Sequence, residues 1–145
     1  MPRGIPTSGR ALVLKPPVEP DPLESWHQEQ VMRLAALNRH FYPELEWLHS
    51  VPNGGFRHKA TAVAMERQGA KSGISDLALD VARGGYLGLK LELKRFREGK
   101  PTEKQQAYLA FCRAQGYRAL VCWGWRVAWD EITGYLSLPP TCIAD

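Results

Sequence analysis

The sequence predicts an α/β fold in which a mixed β-sheet is flanked by helices. Three observations lead there. Leu87, Leu89, Leu91 and Leu93 alternate with Gly88, Lys90, Glu92 and Lys94, the period-two pattern of a strand with one apolar face. Gly84-Gly85 turns the chain between that segment and an earlier apolar run, Asp76–Val81, so the two read as a hairpin. A helical segment opened by Pro101-Thr102 and a further strand, Tyr117–Cys122, then form a strand–helix–strand unit over residues 87–122. Such a crossover is parallel and right-handed, and a hairpin joined to a parallel crossover makes the sheet mixed.

The remaining elements follow in chain order. Residues 1–22 hold Pro2, Pro6, Pro16, Pro17, Pro20 and Pro22 with little apolar periodicity, and read as an irregular N-terminal arm. Helix formers without Gly or Pro predict a first helix from Leu23 to Asn38. Glu46–Ser50 reads as a short extended piece, and Val51-Pro52-Asn53-Gly54-Gly55 as a turn. A second helix fits Lys59–Gln68, with Gly69 as its C-cap. The helix after Thr102 reaches Gln115 and stops at Gly116. A last helix, Val127–Leu136, places Ala128, Trp129, Ile132, Tyr135 and Leu136 at helical spacing. The folded domain is expected over residues 23–138, with 139–145 as a short tail.

Composition bounds the function. A chain of 145 residues suits one core, and 44% hydrophobic with 23% charged residues excludes wholesale disorder. No apolar run approaches the length of about 18 residues that a membrane helix needs, and the N-terminus lacks a signal-peptide core, so no membrane association is expected. Cys112, Cys122 and Cys142 contain no CxxC, and His27, His40, His49 and His58 show no ligand spacing. This argues against structural zinc and fits free thiols in a reducing cytoplasm. The net charge of +4 is modest, but it is unevenly placed: residues 51–104 carry the whole basic excess, as a segment facing a polyanion would.

That segment also holds the candidate chemistry. Asp76 heads one strand, and Glu92-Leu93-Lys94 ends its hairpin partner. Adjacent strands lie about 4.8 Å apart, so two carboxylates on one face can share a hard cation. A cation that keeps its waters can supply an attacking water and stabilise charge on a phosphate. Lys94, two residues after Glu92, shares its face and can orient the water or neutralise the phosphorane. An isolated E-x-K tripeptide is more often a solvated stripe; the preceding Gly-rich turn and basic flanks weigh against that here.

Gly73-Ile74-Ser75-Asp76, fifteen residues, then Glu92-Leu93-Lys94 resembles the PD-(D/E)xK nuclease superfamily and, within it, the VRR-NUC family, including its small stand-alone forms of phage and bacterial genomes. The supporting residues are Gln28-Glu29-Gln30-Val31, Val51-Pro52-Asn53-Gly54-Gly55, Gly69-Ala70-Lys71-Ser72-Gly73, Gly85-Tyr86-Leu87-Gly88-Leu89, Thr102-Glu103-Lys104-Gln105 and Gln115-Gly116-Tyr117. They span about residues 25–136. Ser75 stands where the family usually has proline, which bears on backbone rigidity rather than on the carboxylate.

The resemblance implies a restriction-endonuclease-like core and assigns roles residue by residue. Asp76 and Glu92 match the metal-binding carboxylates, joined by the Leu93 carbonyl, and Lys94 matches the catalytic lysine. Glu29 matches a first-helix glutamate that reaches the metal through water, with a surface pair to Arg33 as its plain alternative. Glu24 is a poorer candidate for that role. Gln105 matches a motif glutamine that faces the sheet, although Thr102-x-x-Gln105 is also a capping box. The implied cofactor is Mg2+ or Mn2+. The implied substrate is DNA, branched forms such as four-way Holliday-type junctions, cut by a homodimer with two sites. The same core also serves flap, restriction-like and exonuclease reactions, or a silent DNA-binding module. Arg57, Lys59, Lys71 and Ser72 before Asp76, and Arg95, Arg97 and Lys100 after Lys94, are candidate phosphate contacts. Trp123, Trp125 and Trp129 could stack on bases but read as core or a dimer face.

Overall fold

A computed structural model describes residues 21–52, 58–97 and 99–144. The arm up to residue 20, the tip of the 51–55 turn and Arg57 lie outside the described residues. The elements are α1 (Glu24–Leu37), a 3-10 turn (Pro43–Trp47), β1 (His49–Ser50), α2 (Lys59–Arg67), β2 (Leu77–Leu79), β3 (Leu89–Lys94), α3 (Glu103–Ala114), β4 (Arg118–Trp123) and α4 (Trp125–Leu136).

The strands form one sheet in the order β1-β2-β3-β4. The first two pairings are antiparallel and β3–β4 is parallel, the mixed sheet expected from a hairpin and a crossover. Alternation along β3 and β4 sorts their side chains between two layers. Leu89, Leu91 and Leu93 join Cys122 and the partly buried Leu120 in the main core, against Val31 and Ala35 of α1 and Ala128, Ile132 and Tyr135 of α4. The opposite face buries Ala119, with Val121 and Tyr117, against Leu109, Cys112 and Tyr108 on α3. Lys90, Glu92 and Lys94 alternate with the leucines and therefore face the α3 layer. Truncating a leucine of the first layer to alanine should cost about 2–5 kcal/mol.

Several boundaries differ from the sequence reading, each for a local reason. Glu46–Ser50 is not a continuous extended piece: Pro43 starts a 3-10 turn that runs to Trp47, and only His49 and Ser50 pair with β2. Leu87 lies outside β3 and is 50% exposed. Pairing with β2 ends at Leu79↔Leu89, so Leu87 has no strand on that side to pack against. β2 is three residues long rather than six. α4 starts at Trp125, two residues early, because Gly124 adopts φ 85° and turns the chain straight from β4 into the helix. The chain after residue 138 is pinned: Thr141 Oγ1 donates to the Tyr86 carbonyl at 2.7 Å, and Gly84 N–H donates to the Pro139 carbonyl at 2.7 Å. Cys112 and Cys122 are buried free thiols, as expected.

Candidate active site

Asp76 immediately precedes β2, and Glu92 and Lys94 lie on the neighbouring β3, so the hairpin register brings the three together. Asp76 Oδ2 accepts the Leu93 N–H at 2.7 Å. Lys94 Nζ lies 3.1 Å from Glu92 Oε1. Gln105 Nε2 donates to the same Glu92 oxygen at 2.6 Å. Glu92 is 1% exposed and Lys94 5%, so this is a sequestered ionic cluster and not a solvated stripe.

Two carboxylates so close and so buried resist ionising together. Burial, then the adjacent Asp76, pushes the Glu92 carboxyl from 4.5 up to about 7. Burial also raises Asp76, against the Leu93 N–H and Lys94, which lower it. For Lys94, burial disfavours the charge, but the hydrogen bond and charge of Glu92 and the charge of Glu24 outweigh it, and the ammonium is held above its ordinary range.

The donor set fits a hard divalent cation. Glu92 Oε2 is buried with no hydrogen-bond partner, a costly condition that a cation relieves. In a strand, the N–H and C=O of one residue point to the same edge. The Leu93 carbonyl therefore faces the edge where its N–H holds Asp76. Among the described residues no three His, Cys, Asp or Glu side chains converge as a complete cage. Two carboxylates and a carbonyl suit an ion that retains several waters, as Mg2+ does.

Gln105 fills both roles that its position allowed. Its backbone N–H donates to Thr102 Oγ1 at 3.2 Å and its Oε1 accepts the Thr102 N–H at 2.8 Å, completing the capping box. The same amide still reaches Glu92 through Nε2. Gly73 lets the Asp76 loop approach this helix: at φ 86°, a Cβ there would sit 2.7 Å from Lys104 Cβ.

The two first-helix carboxylates are placed differently. Glu29 is exposed and makes no ion pair, with Arg33 or otherwise, among the described residues. Glu24 instead lies 3.4 Å from Lys94 Nζ. Five residues along a helix turn a side chain by about 140°, so the two cannot face one site.

The basic flanks also divide. Arg95 is taken up internally: its guanidinium donates to the Asp21 carbonyl at 2.6 Å and lies 3.4 Å from Asp21 Oδ2. Its guanidinium, a candidate phosphate contact from the sequence, is thus engaged by Asp21. Asp21 also accepts the N–H groups of Phe96 and Arg97 at 3.2 and 3.0 Å, fastening the loop that follows Lys94. Burial opposes the Asp21 charge, but those N–H groups and Arg95 hold its carboxyl below the usual range. Nothing in the sequence around Pro20-Asp21-Pro22 signalled this clamp. Buried His27 supports it from α1, with Nε2 3.6 Å from Asp21 Oδ1 and Nδ1 accepting the Trp125 N–H at 3.2 Å. Ser72 is engaged too, as Lys104 Nζ donates to its hydroxyl at 3.2 Å. Lys59, Lys71, Arg97 and Lys100 are exposed. Trp125 and Trp129 pack against the main core, as expected, whereas Trp123 is 42% exposed.

A carboxylate pair with a lysine at the end of a mixed sheet, served by a helix glutamine, defines a nuclease-type α/β domain. The model of the VRR-NUC domain matches residues 22–126. A solved structure described as a VRR_NUC domain protein superposes with a TM-score of 0.72 at 27% identity, covering 86% of this chain and 96% of that one. No curated protein matches the sequence. The chain belongs to the VRR-NUC family.

Proposed function

We propose that this protein is a Mg2+- or Mn2+-dependent DNA endonuclease that hydrolyses phosphodiester bonds in branched DNA, working as a homodimer. The observation that carries the reading is the buried Asp76–Glu92–Lys94 cluster, with its unpartnered Glu92 Oε2. A solvated charge stripe would have no reason to bury such groups.

Asp76, Glu92 and the Leu93 carbonyl would hold the cation. When bound, it supplies Lewis-acid stabilisation of phosphate charge and a source of activated water. The chain's own residues do the rest. The Leu93 N–H fixes Asp76 Oδ2, so the carboxylate presents its other oxygen. Gln105 holds Glu92 Oε1 and leaves Oε2 free. Lys94 keeps its proton between Glu92 and Glu24, available to a phosphate oxygen. Glu24, rather than Glu29, is the α1 carboxylate placed to tune that lysine. Lys59, Lys71, Arg97 and Lys100 remain candidates for backbone contacts, which position DNA without reading sequence. Buried Cys112 and Cys122 suit a reducing compartment, and we place the protein in the cytoplasm.

Asp76→Asn and Lys94→Ala should each abolish metal-dependent cleavage while circular dichroism stays native. Full activity in either folded variant overturns the assignment. A panel of end-labelled duplex, flap, single-stranded and four-way junction DNA tests the finer part. Paired symmetric cuts in the junction support resolution, whereas laddering from an end points to an exonuclease.

A further inference from the structure

The reactive face of the sheet extends one strand beyond Lys94. In the parallel β3–β4 pair, Glu92 registers with Val121 and Lys94 with Trp123. Register partners in neighbouring strands put their side chains on the same face, about 4.8 Å apart. Ala119 and Val121 face the α3 layer, so Trp123, next in the alternation, lies on that face in register with Lys94.

Its indole is both held and left open. Nε1–H donates to the Gly99 carbonyl at 2.7 Å, yet 42% of the residue is exposed. Gly99 belongs to a loop folded back on the lysine: a Cβ at Gly99 would sit 2.7 Å from Lys94 Cβ. The same loop carries exposed Arg97 and Lys100, and a half-exposed Phe96 whose ring packs over Gly124, the residue after Trp123. A tryptophan needed only for the core would be covered. One anchored by its N–H, partly exposed, held to a loop that carries exposed Arg97 and Lys100, and in register with Lys94 offers a stacking surface.

We propose that Trp123 stacks on an unpaired nucleobase beside the scissile phosphate, and that this contact selects DNA with an unstacked base. The proposal rests on the DNA-nuclease reading above and deepens it. In an intact duplex both faces of each base are already covered by neighbours, so a protein ring gains little there. At a branch point, flap or single-stranded gap one face is free.

The test measures binding in EDTA, so it does not depend on cleavage. Wild type, Trp123→Leu and Trp123→Phe are titrated against a perfect duplex and the same duplex with an unpaired 2-aminopurine, by anisotropy and by 2-aminopurine quenching across a salt series. Trp123→Leu should bind the unpaired DNA about tenfold more weakly, lose the quenching and stay within about twofold of wild type on duplex. Trp123→Phe, which keeps a ring but no N–H, should retain most of both signals. The slope of log affinity against log salt should be unchanged, since stacking releases no counterions. Equal losses on both DNAs, a reduced salt slope, or a phenylalanine variant as weak as leucine would show that Trp123 only pins the cationic loop, and would overturn the proposal. So would failure of the wild type to bind either DNA. Selective binding without cleavage under any metal would leave Trp123 in place and remove the nuclease reading instead.

Discussion

Metal-free protein should lose stability as the pH rises from 4.5 to about 7, and Glu92→Gln should flatten that loss. In the folded state the Glu92 carboxyl keeps its proton up to about 7, against 4.5 for the free group. Between those values the folded chain binds more protons than the unfolded chain, so raising the pH favours unfolding. Below 4.5 the penalty is absent; above 7 it is complete. Integrating over that window gives about 3 kcal/mol, or a fall of about 10 °C in Tm for a chain of this size. Asp76, also raised, acts with the same sign. Lys94 is raised from 10.5 and Asp21 lowered from 3.8, so neither titrates in the window. A divalent ion binds the ionised pair, so its addition should stabilise more at high pH and offset the slope. Urea unfolding at several pH values, with and without Mg2+ or Mn2+, reads all of this. A flat or rising metal-free profile, or an unchanged slope in Glu92→Gln, would mean that Glu92 is ionised in the metal-free fold without penalty.

Further outcomes follow from individual contacts. Glu24→Gln should lower cleavage at least about tenfold by removing a partner of Lys94, while Glu29→Gln stays within about twofold of wild type, measured as initial rates on one substrate. Thr102→Ala should cost about 1 kcal/mol in urea unfolding through the lost cap and leave cleavage intact. Gln105→Leu should match that stability loss and also lose activity, because Gln105, unlike Thr102, donates to Glu92. Asp21→Ala should destabilise by about 1–3 kcal/mol and speed amide hydrogen exchange at Phe96 and Arg97, whose N–H groups lose their acceptor.

The leucine alternation of β3 and the double glycine before it were enough to read the hairpin, and the crossover to β4 followed from chain order. The same alternation put Glu92 and Lys94 on one face, and the register then brought Asp76 to them. Burial of that face was not legible, because an E-x-K tripeptide reads the same on a wet surface as under α3. Glu29 and Glu24 are both acidic residues on α1, and only the rotation of the helix about its axis chooses between them; the weak amphipathic pattern of this helix left that choice open. Arg95 looked like its basic neighbours because its partner, Asp21, lies far away in sequence, in a stretch that read as linker. Trp123 was grouped with Trp125 and Trp129 by proximity, although strand alternation sends it to the opposite side from the main core.

An anomalous difference map from crystals grown or soaked with Mn2+ would locate the ion outright. A peak is expected between the two strands, bonded to an Asp76 oxygen and to Glu92 Oε2 at about 2.1 Å, with Lys94 close by. A peak bound elsewhere on the chain, or none at an Mn2+ concentration that supports cleavage, would contradict that placement.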